Sequence, residues 1–289
     1  MSKLNTNKII LGSAQFGRNY GISNFSNRGF SKNAYKTLEL AFKNEIKFID
    51  TAPQYNSEKI IGNFISAHGL SNEIKVFTKI PTISNKKNYR KFVINSVENS
   101  LKNLKCYIHT LFLHNTNDIN LYKKNIDFFL KLKKIFPIKN LGFSIYSKKD
   151  LYITSKLGFK PVYQFPFNIL DKRFLNLKIQ KNKLIARSIF LQGLLINKKI
   201  KKKKLPIKLI ESHNRYYNYL NNLKIDPLKF QLSYINSTKQ INKFIIGSDN
   251  YQQLHQIINC ELLKKIDTKH IKKINSFFNK NNIDPRKWK

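Results

Sequence analysis

Short apolar runs alternate with longer amphipathic stretches along the whole chain. Eight runs are apolar almost throughout: residues 9–16, 47–51, 76–80, 110–114, 141–146, 162–167, 184–190 and 244–247. Strands buried on both faces have this character, because neither face meets water. Between them, apolar residues recur at helical spacing. Phe92, Val93, Val97, Leu101 and Leu104 draw one such stripe through the stretch 88–103, and 32–44, 121–135 and 251–259 are periodic in the same way. Ser57 opens a further helix over 58–67, and 205–223 and 227–235 predict two helices before the eighth strand. That unit therefore carries an insertion. A last helix over 269–278 precedes a short tail. Eight strands alternating with helices predict an α/β fold, a (β/α)8 TIM barrel forming a single domain over 1–289. An open doubly wound sheet is the rival. It usually carries a glycine-rich phosphate turn after its first strand, and the stretch from Gly12 to Gly17 reads GSAQFG, not GxGxxG. No interdomain linker or internal repeat interrupts the pattern.

Composition adds to this picture in two places. The chain has 289 residues, 41% of them apolar, and a formal charge of +38. Such a charge suggests a nucleic-acid partner. The excess is nearly all lysine, however, spread over every helix alongside abundant Asn and Ile, three residues that share A/T-rich codons. With few arginines and little aromatic interleaving, this reads as compositional bias and not as a phosphate-binding face. No specific nucleic acid is expected, although the field attracts anions generally. The densest run, 198–204, is broken only by Ile200 and is expected to be a solvated loop after the seventh strand. The two cysteines, Cys106 and Cys260, lie far apart. They argue against a disulfide scaffold or a metal site and suit a reducing compartment. The first twelve residues lack the apolar core of a signal peptide, and no run approaches the ~20 residues of a membrane span. The expectation is a cytoplasmic protein without a membrane partner.

Candidate chemistry gathers at the ends of three consecutive strands. The second ends in Asp50, with Tyr55 on the loop beyond; the third ends in Lys79; the fourth ends in His114. Taken singly, Asp50 with Tyr55 reads as a turn, and Lys79 or His114 as a satisfied side chain. In a barrel the carboxyl ends of all strands share one mouth, where catalysis sits. Four ionisable groups converging there are poorly explained by packing.

These residues, with their surroundings, resemble the aldo-keto reductase family. The resemblance runs through the 11–17 stretch, Ile49-Asp50-Thr51-Ala52 with Tyr55, Ser57-Glu58, Ile61-Gly62, Thr78-Lys79, Leu113-His114, Gly142-Phe143-Ser144, Gln164 and Ile246-Gly247-Ser248. It implies hydride transfer between a nicotinamide cofactor, NADP or NAD, and a small-molecule carbonyl. Tyr55 would deliver the proton; Lys79 beside it favours the phenolate, Asp50 holds Lys79, and His114 orients the carbonyl oxygen. The resemblance also assigns the cofactor's surroundings. Ser144 and Gln164 would hold the carboxamide, and Gly12 and Ser13 the pocket floor. Ser188, Leu191, Gly193, Gly247 and Ser248 would contact ribose and phosphates.

The chain departs from the family pattern at several points. Ile145 stands where Asn is frequent, Asn56 where Gly follows the tyrosine, and Arg187 where an aromatic usually stacks on the nicotinamide. The stretch 249–254 has no arginine to clamp an adenosine 2′-phosphate, so the choice of cofactor stays open. The stretches 165–171 and 187–195 resemble a bacterial branch associated with sugar and surface-polysaccharide enzymes. The eleven residues after Phe278, mostly polar, offer little apolar lid. An open, wet mouth and a polar or anionic carbonyl, such as a sugar or sugar-nucleotide intermediate, are expected. The alternative readings are a catalytically inactive barrel binding an anionic polymer or nucleic acid through its lysines, and a non-redox sugar-binding or partner-regulating protein that keeps the cofactor.

Overall fold

The computed structural model of the protein describes residues 3–17, 21–22, 30–177 and 183–288. Eight strands form a closed barrel in chain order: β1 Ile9–Gly12, β2 Phe48–Asp50, β3 Lys75–Ile80, β4 Ile108–Leu113, β5 Ile138–Ser144, β6 Val162–Pro166, β7 Leu184–Arg187 and β8 Lys243–Gly247. Each pairs in parallel with the next, and β8 closes on β1 through Leu11↔Ile246 and Gly12↔Gly247. The expected TIM barrel is present.

Ten helices among the described residues surround it: α1 Phe30–Lys43, α2 Glu58–Ala67, α3 Tyr89–Leu104, α4 Ile119–Lys124, α5 Ile126–Ile135, α6 Lys148–Ser155, α7 Ile207–Asn222, α8 Pro227–Ser237, α9 Tyr251–Ile258 and α10 Thr268–Phe277. Their starts follow local chemistry. Asn88 caps α3 by accepting from the Lys91 N–H, and Ser147 with Asp150 forms a capping box on α6. Glu58, buried in the first turn of α2, accepts from Thr78 Oγ1 at 2.6 Å and Ser100 Oγ at 2.9 Å. It thereby ties α2 to β3 and α3.

Four expectations need correction. The first strand stops at Gly12, not at residue 16, and the seventh at Arg187, not at residue 190. Phe16, Ile189 and Phe190 are buried all the same, so their apolarity reports burial in loops folded over the barrel. The helix expected over 121–135 is two, because Asn125 leaves helical geometry at φ −127°, ψ 32°. No α-helix joins β6 to β7 among the described residues; turns fill residues 167–177.

The barrel interior is filled by Ile10, Phe77, Phe112, Val162 and Ile185. Burying each large side chain contributes about 2 kcal/mol. Gly142 makes room: a Cβ there would sit 2.6 Å from the Phe112 ring. Below this layer, at the amino end, His109 packs against Phe48 and Phe77. Burial, with Lys139, Lys75, Lys183 and Lys243 around it, pushes its pKa down to about 4. The folded state thus binds fewer protons than the unfolded state between pH 6.5 and 4. Stability is complete above 6.5 and falls as pH drops through that window, by about 2 kcal/mol once solvent screening of the half-buried ring is allowed for. Urea midpoints of wild type and His109→Gln across this range test it. The variant should lack most of the slope, and parallel curves would locate the acid sensitivity elsewhere.

Candidate active site

β2, β3 and β4 bring Asp50, Lys79 and His114 to one end of the barrel, as neighbouring parallel strands in this register must. Lys79 is 2% exposed. Its Nζ donates to Asp50 Oδ2 at 2.7 Å and to the Thr51 carbonyl at 2.8 Å. Burial alone would lower its pKa. The Asp50 carboxylate and the nearby Tyr55 outweigh that, so it lies above the ordinary value and Lys79 stays charged. Gln164, from β6, donates from Nε2 to the other Asp50 oxygen at 2.5 Å.

Tyr55 sits half-buried on a short helical turn, Pro53–Tyr55. The Lys79 Nζ lies 5.0 Å from its ring centroid. The His114 ring stands 6.4 Å away at 89°, and Gln54 Nε2 is 3.1 Å from His114 Nδ1. Gly17 fixes the height of this turn, because a Cβ at 17 would lie 2.3 Å from the Tyr55 carbonyl oxygen. Below it, hydroxyls link the first two strand ends: Ser57 Oγ is 2.8 Å from Ser13 Oγ and 2.9 Å from Thr51 Oγ1. Ser57 opens α2 as expected, but its hydroxyl serves this chain and not the helix cap.

A cleft enclosing about 1170 Å³, counting the part open to solvent, surrounds these groups. Gly12, Ser13, Asp50, Tyr55, Lys79, His114, Ser144, Gln164, Arg187, Ser188, Gly193 and Gly247 all line it. Two candidates do not. Leu191 is buried and faces an adjoining pocket, and Ser248 lies beneath the surface, 2% exposed. Gln164 Oε1 and Ser248 Oγ are buried without a hydrogen-bond partner.

The structure adds residues that periodicity does not reveal. Gln15, Tyr146, Gln192, Asn197, Asp249 and Gln253 also line the cleft. Arg187 lies over the Tyr146 ring at 4.2 Å, so an aromatic does stand at the mouth, supplied by the loop after β5. The wall after β7 is built from left-handed backbone: Ser188, Leu191 and Gln192 have φ of 57°, 49° and 55°, and Gly193 has 94°. Ile22 donates to the Gln192 carbonyl, and the Lys201 N–H donates back to Ile22. The lysine run is therefore moored beside the cleft by its backbone and by the buried Ile200, while Lys198, Lys199, Lys202 and Lys203 stay exposed. The tail is not remote either. Ile283, Asp284, Pro285 and Arg286 line the adjoining pocket, and Arg286 lies 3.8 Å from the Tyr146 ring centroid. The tail thus brings the Arg286–Asp284 pair beside the mouth.

On this fold, a buried lysine–carboxylate pair, a tyrosine and a histidine meet in one cleft. The sequence profile of the Aldo/keto reductase family matches residues 8–279, and the chain belongs to that family. Its members act on small-molecule carbonyls and generally use NAD(P)H. Similar solved structures include the glycerol dehydrogenase AKR11B4 from Gluconobacter oxydans, at 18% identity and a TM-score of 0.67, covering 96% of this chain and 92% of that one. A second, described as an aldo-keto reductase from Pseudomonas aeruginosa, has 18% identity and a TM-score of 0.58, covering 89% and 92%. At that identity they support the fold. A search of curated proteins finds no match. No helix among the described residues is long and apolar enough to cross a membrane.

Proposed function

We propose that the protein reduces an aldehyde or ketone with NADPH or NADH, Tyr55 delivering the proton. The observation that carries this reading is the position of Lys79, held at 2.7 Å by Asp50 and 5.0 Å from the Tyr55 ring centroid inside the cleft. The residues fit a nicotinamide cofactor. Gln164 offers a buried, unpartnered Oε1 to a carboxamide N–H, and Ser144 lies beside it across the β5–β6 pairing. When bound, the cofactor supplies the hydride. His114 and Tyr55 bracket the carbonyl oxygen. As negative charge develops there, the Tyr55 hydroxyl gives up its proton, and the neighbouring Lys79 ammonium stabilises the phenolate left behind. Asp50 keeps that ammonium aimed and charged. A cofactor-oxidation assay against a panel of aldehydes, ketones and sugar carbonyls tests the assignment. Turnover excludes both the inactive barrel and the cofactor-keeping, non-redox one. Cofactor binding without turnover of any carbonyl overturns the assignment.

Cofactor choice turns on the segment after β8. Asp249 is half-buried at the cleft wall; burial pushes its pKa up, opposed by Lys201. A carboxylate there, with no arginine in 249–254, disfavours a 2′-phosphate. Asp249→Asn should tighten NADPH about fivefold relative to NADH at low salt, read by fluorescence titration. Equal changes for both cofactors would place Asp249 away from the phosphate.

A further inference from the structure

The adjoining pocket shares a wall with the cleft: Tyr146, Arg187, Ser188 and Gln192 line both. Its charged walls are three arginines and two aspartates. Two of the arginines have their own acids: Arg173 Nε donates to Asp171 at 2.8 Å, and Arg286 Nε donates to Asp284 at 2.9 Å. Arg187 has none among the described residues. Its contacts are long, Nη1 to Ser188 Oγ at 3.4 Å and Nη2 to the Ile145 carbonyl at 3.5 Å. Its Nε is buried without a partner. Arg187 ends β7 where an aromatic usually stacks on the nicotinamide, but its guanidinium lies over Tyr146 and lines the adjoining pocket as well, and there its unmatched charge and unmet donor lack an acceptor that protein groups do not supply.

We propose that this shared wall is a subsite for an acidic group of the substrate, a carboxylate or phosphate on the same molecule as the reducible carbonyl. The inference rests on the reductase reading and names its substrate class. The carbonyl lies at Tyr55 and His114. The rest of the molecule passes Tyr146, and its oxyanion takes the two-pronged fork of Arg187, beside the Arg286–Asp284 pair of the tail, in which Arg286 offsets the Asp284 charge that would otherwise repel it. Tyr146 holds both cations in place through its ring face, at 4.2 and 3.8 Å. Arg187 thereby selects among carbonyl compounds, whereas the exposed lysines only raise the general concentration of anions.

The test compares matched carbonyls: succinic semialdehyde against butanal, and glyceraldehyde 3-phosphate against glyceraldehyde. Succinate and inorganic phosphate are titrated calorimetrically in parallel, into protein saturated with NADPH so that the cofactor's own phosphate contacts are filled. At least one acidic member should exceed its neutral counterpart about 30-fold in kcat/KM, mainly through KM, and the pair that does so tells carboxylate from phosphate. The ratio should fall to near one in Arg187→Gln and only partly recover in Arg187→Lys, which keeps charge but loses the fork. It should drop severalfold in Arg286→Gln, a change at an exposed tail residue that leaves the barrel intact. Reduction of acidic and neutral members at equal rates overturns the subsite and leaves the reductase reading standing. So does an acidic preference that survives both Gln variants, which assigns it to the lysine field. No reduction, but anion binding that depends on Arg187, supports the subsite and defeats the reductase reading. Neither reduction nor anion binding defeats both.

Discussion

Tyr55→Phe should lower carbonyl turnover at least about a hundredfold while nicotinamide cofactors bind as before. The substitution removes one hydroxyl. It leaves the ring against His114 and under the Lys79 ammonium, so neither the turn Pro53–Tyr55 nor the cleft wall has cause to move. The loss should appear in kcat, because the proton is needed as the alkoxide develops and not when the substrate binds. Stopped-flow single turnovers separate the two steps. Reduction by the variant at the wild-type rate would give the proton to another group, with His114 the nearest candidate.

Lys79→Met should abolish turnover to a similar extent and also weaken the fold. Once the ammonium is gone, Asp50 is a carboxylate only 5% exposed, left with the Gln164 amide as its remaining side-chain partner. Breaking a buried pair from one side costs about 3 kcal/mol, well beyond what a surface pair contributes. The urea midpoint should fall accordingly, with the slope unchanged. Tyr55→Phe combined with Lys79→Met should lose little more activity than either alone, because the two groups act as one unit. Additive losses would give Lys79 a separate role. A midpoint unmoved by Lys79→Met would mean that Asp50 picks up a proton and does without its partner.

The barrel was legible because its signal is local. A strand buried on both faces must be apolar throughout, and a helix lying on it must repeat every three to four residues. The same logic exposed Asp50, Lys79 and His114, since an ionisable residue closing an apolar run has no packing role. It failed where burial and strand part company. Phe16 and Phe190 are as apolar as strand residues, yet they pack from loops, so β1 and β7 are shorter than their apolar runs. The break at Asn125 is invisible for the opposite reason, because the buried Tyr122, Phe129 and Leu132 keep helical spacing across it. Leu191 faces the neighbouring pocket because two left-handed residues turn the backbone there, which no periodicity records. The contacts of Tyr146 with Arg187 and Arg286 join β5, β7 and the tail. Residues 140 positions apart carry no mutual pattern in a single sequence, so nothing short of the fold could reveal that a polar tail brings the Arg286–Asp284 pair beside the mouth.

The left-handed wall after β7 bears on how this enzyme could be hardened against heat. Gln192, at φ 55°, holds a conformation that a residue with a side chain adopts at a cost of about 1 kcal/mol and glycine adopts freely. A design method that ranks sites by backbone comfort would choose it early. Yet Gln192 accepts the Ile22 N–H through its carbonyl and lines both cavities. Thermal tolerance gained there would be taken from the definition of the binding surface, so the places to look for a sturdier form are the exposed helix faces on the far side of the barrel.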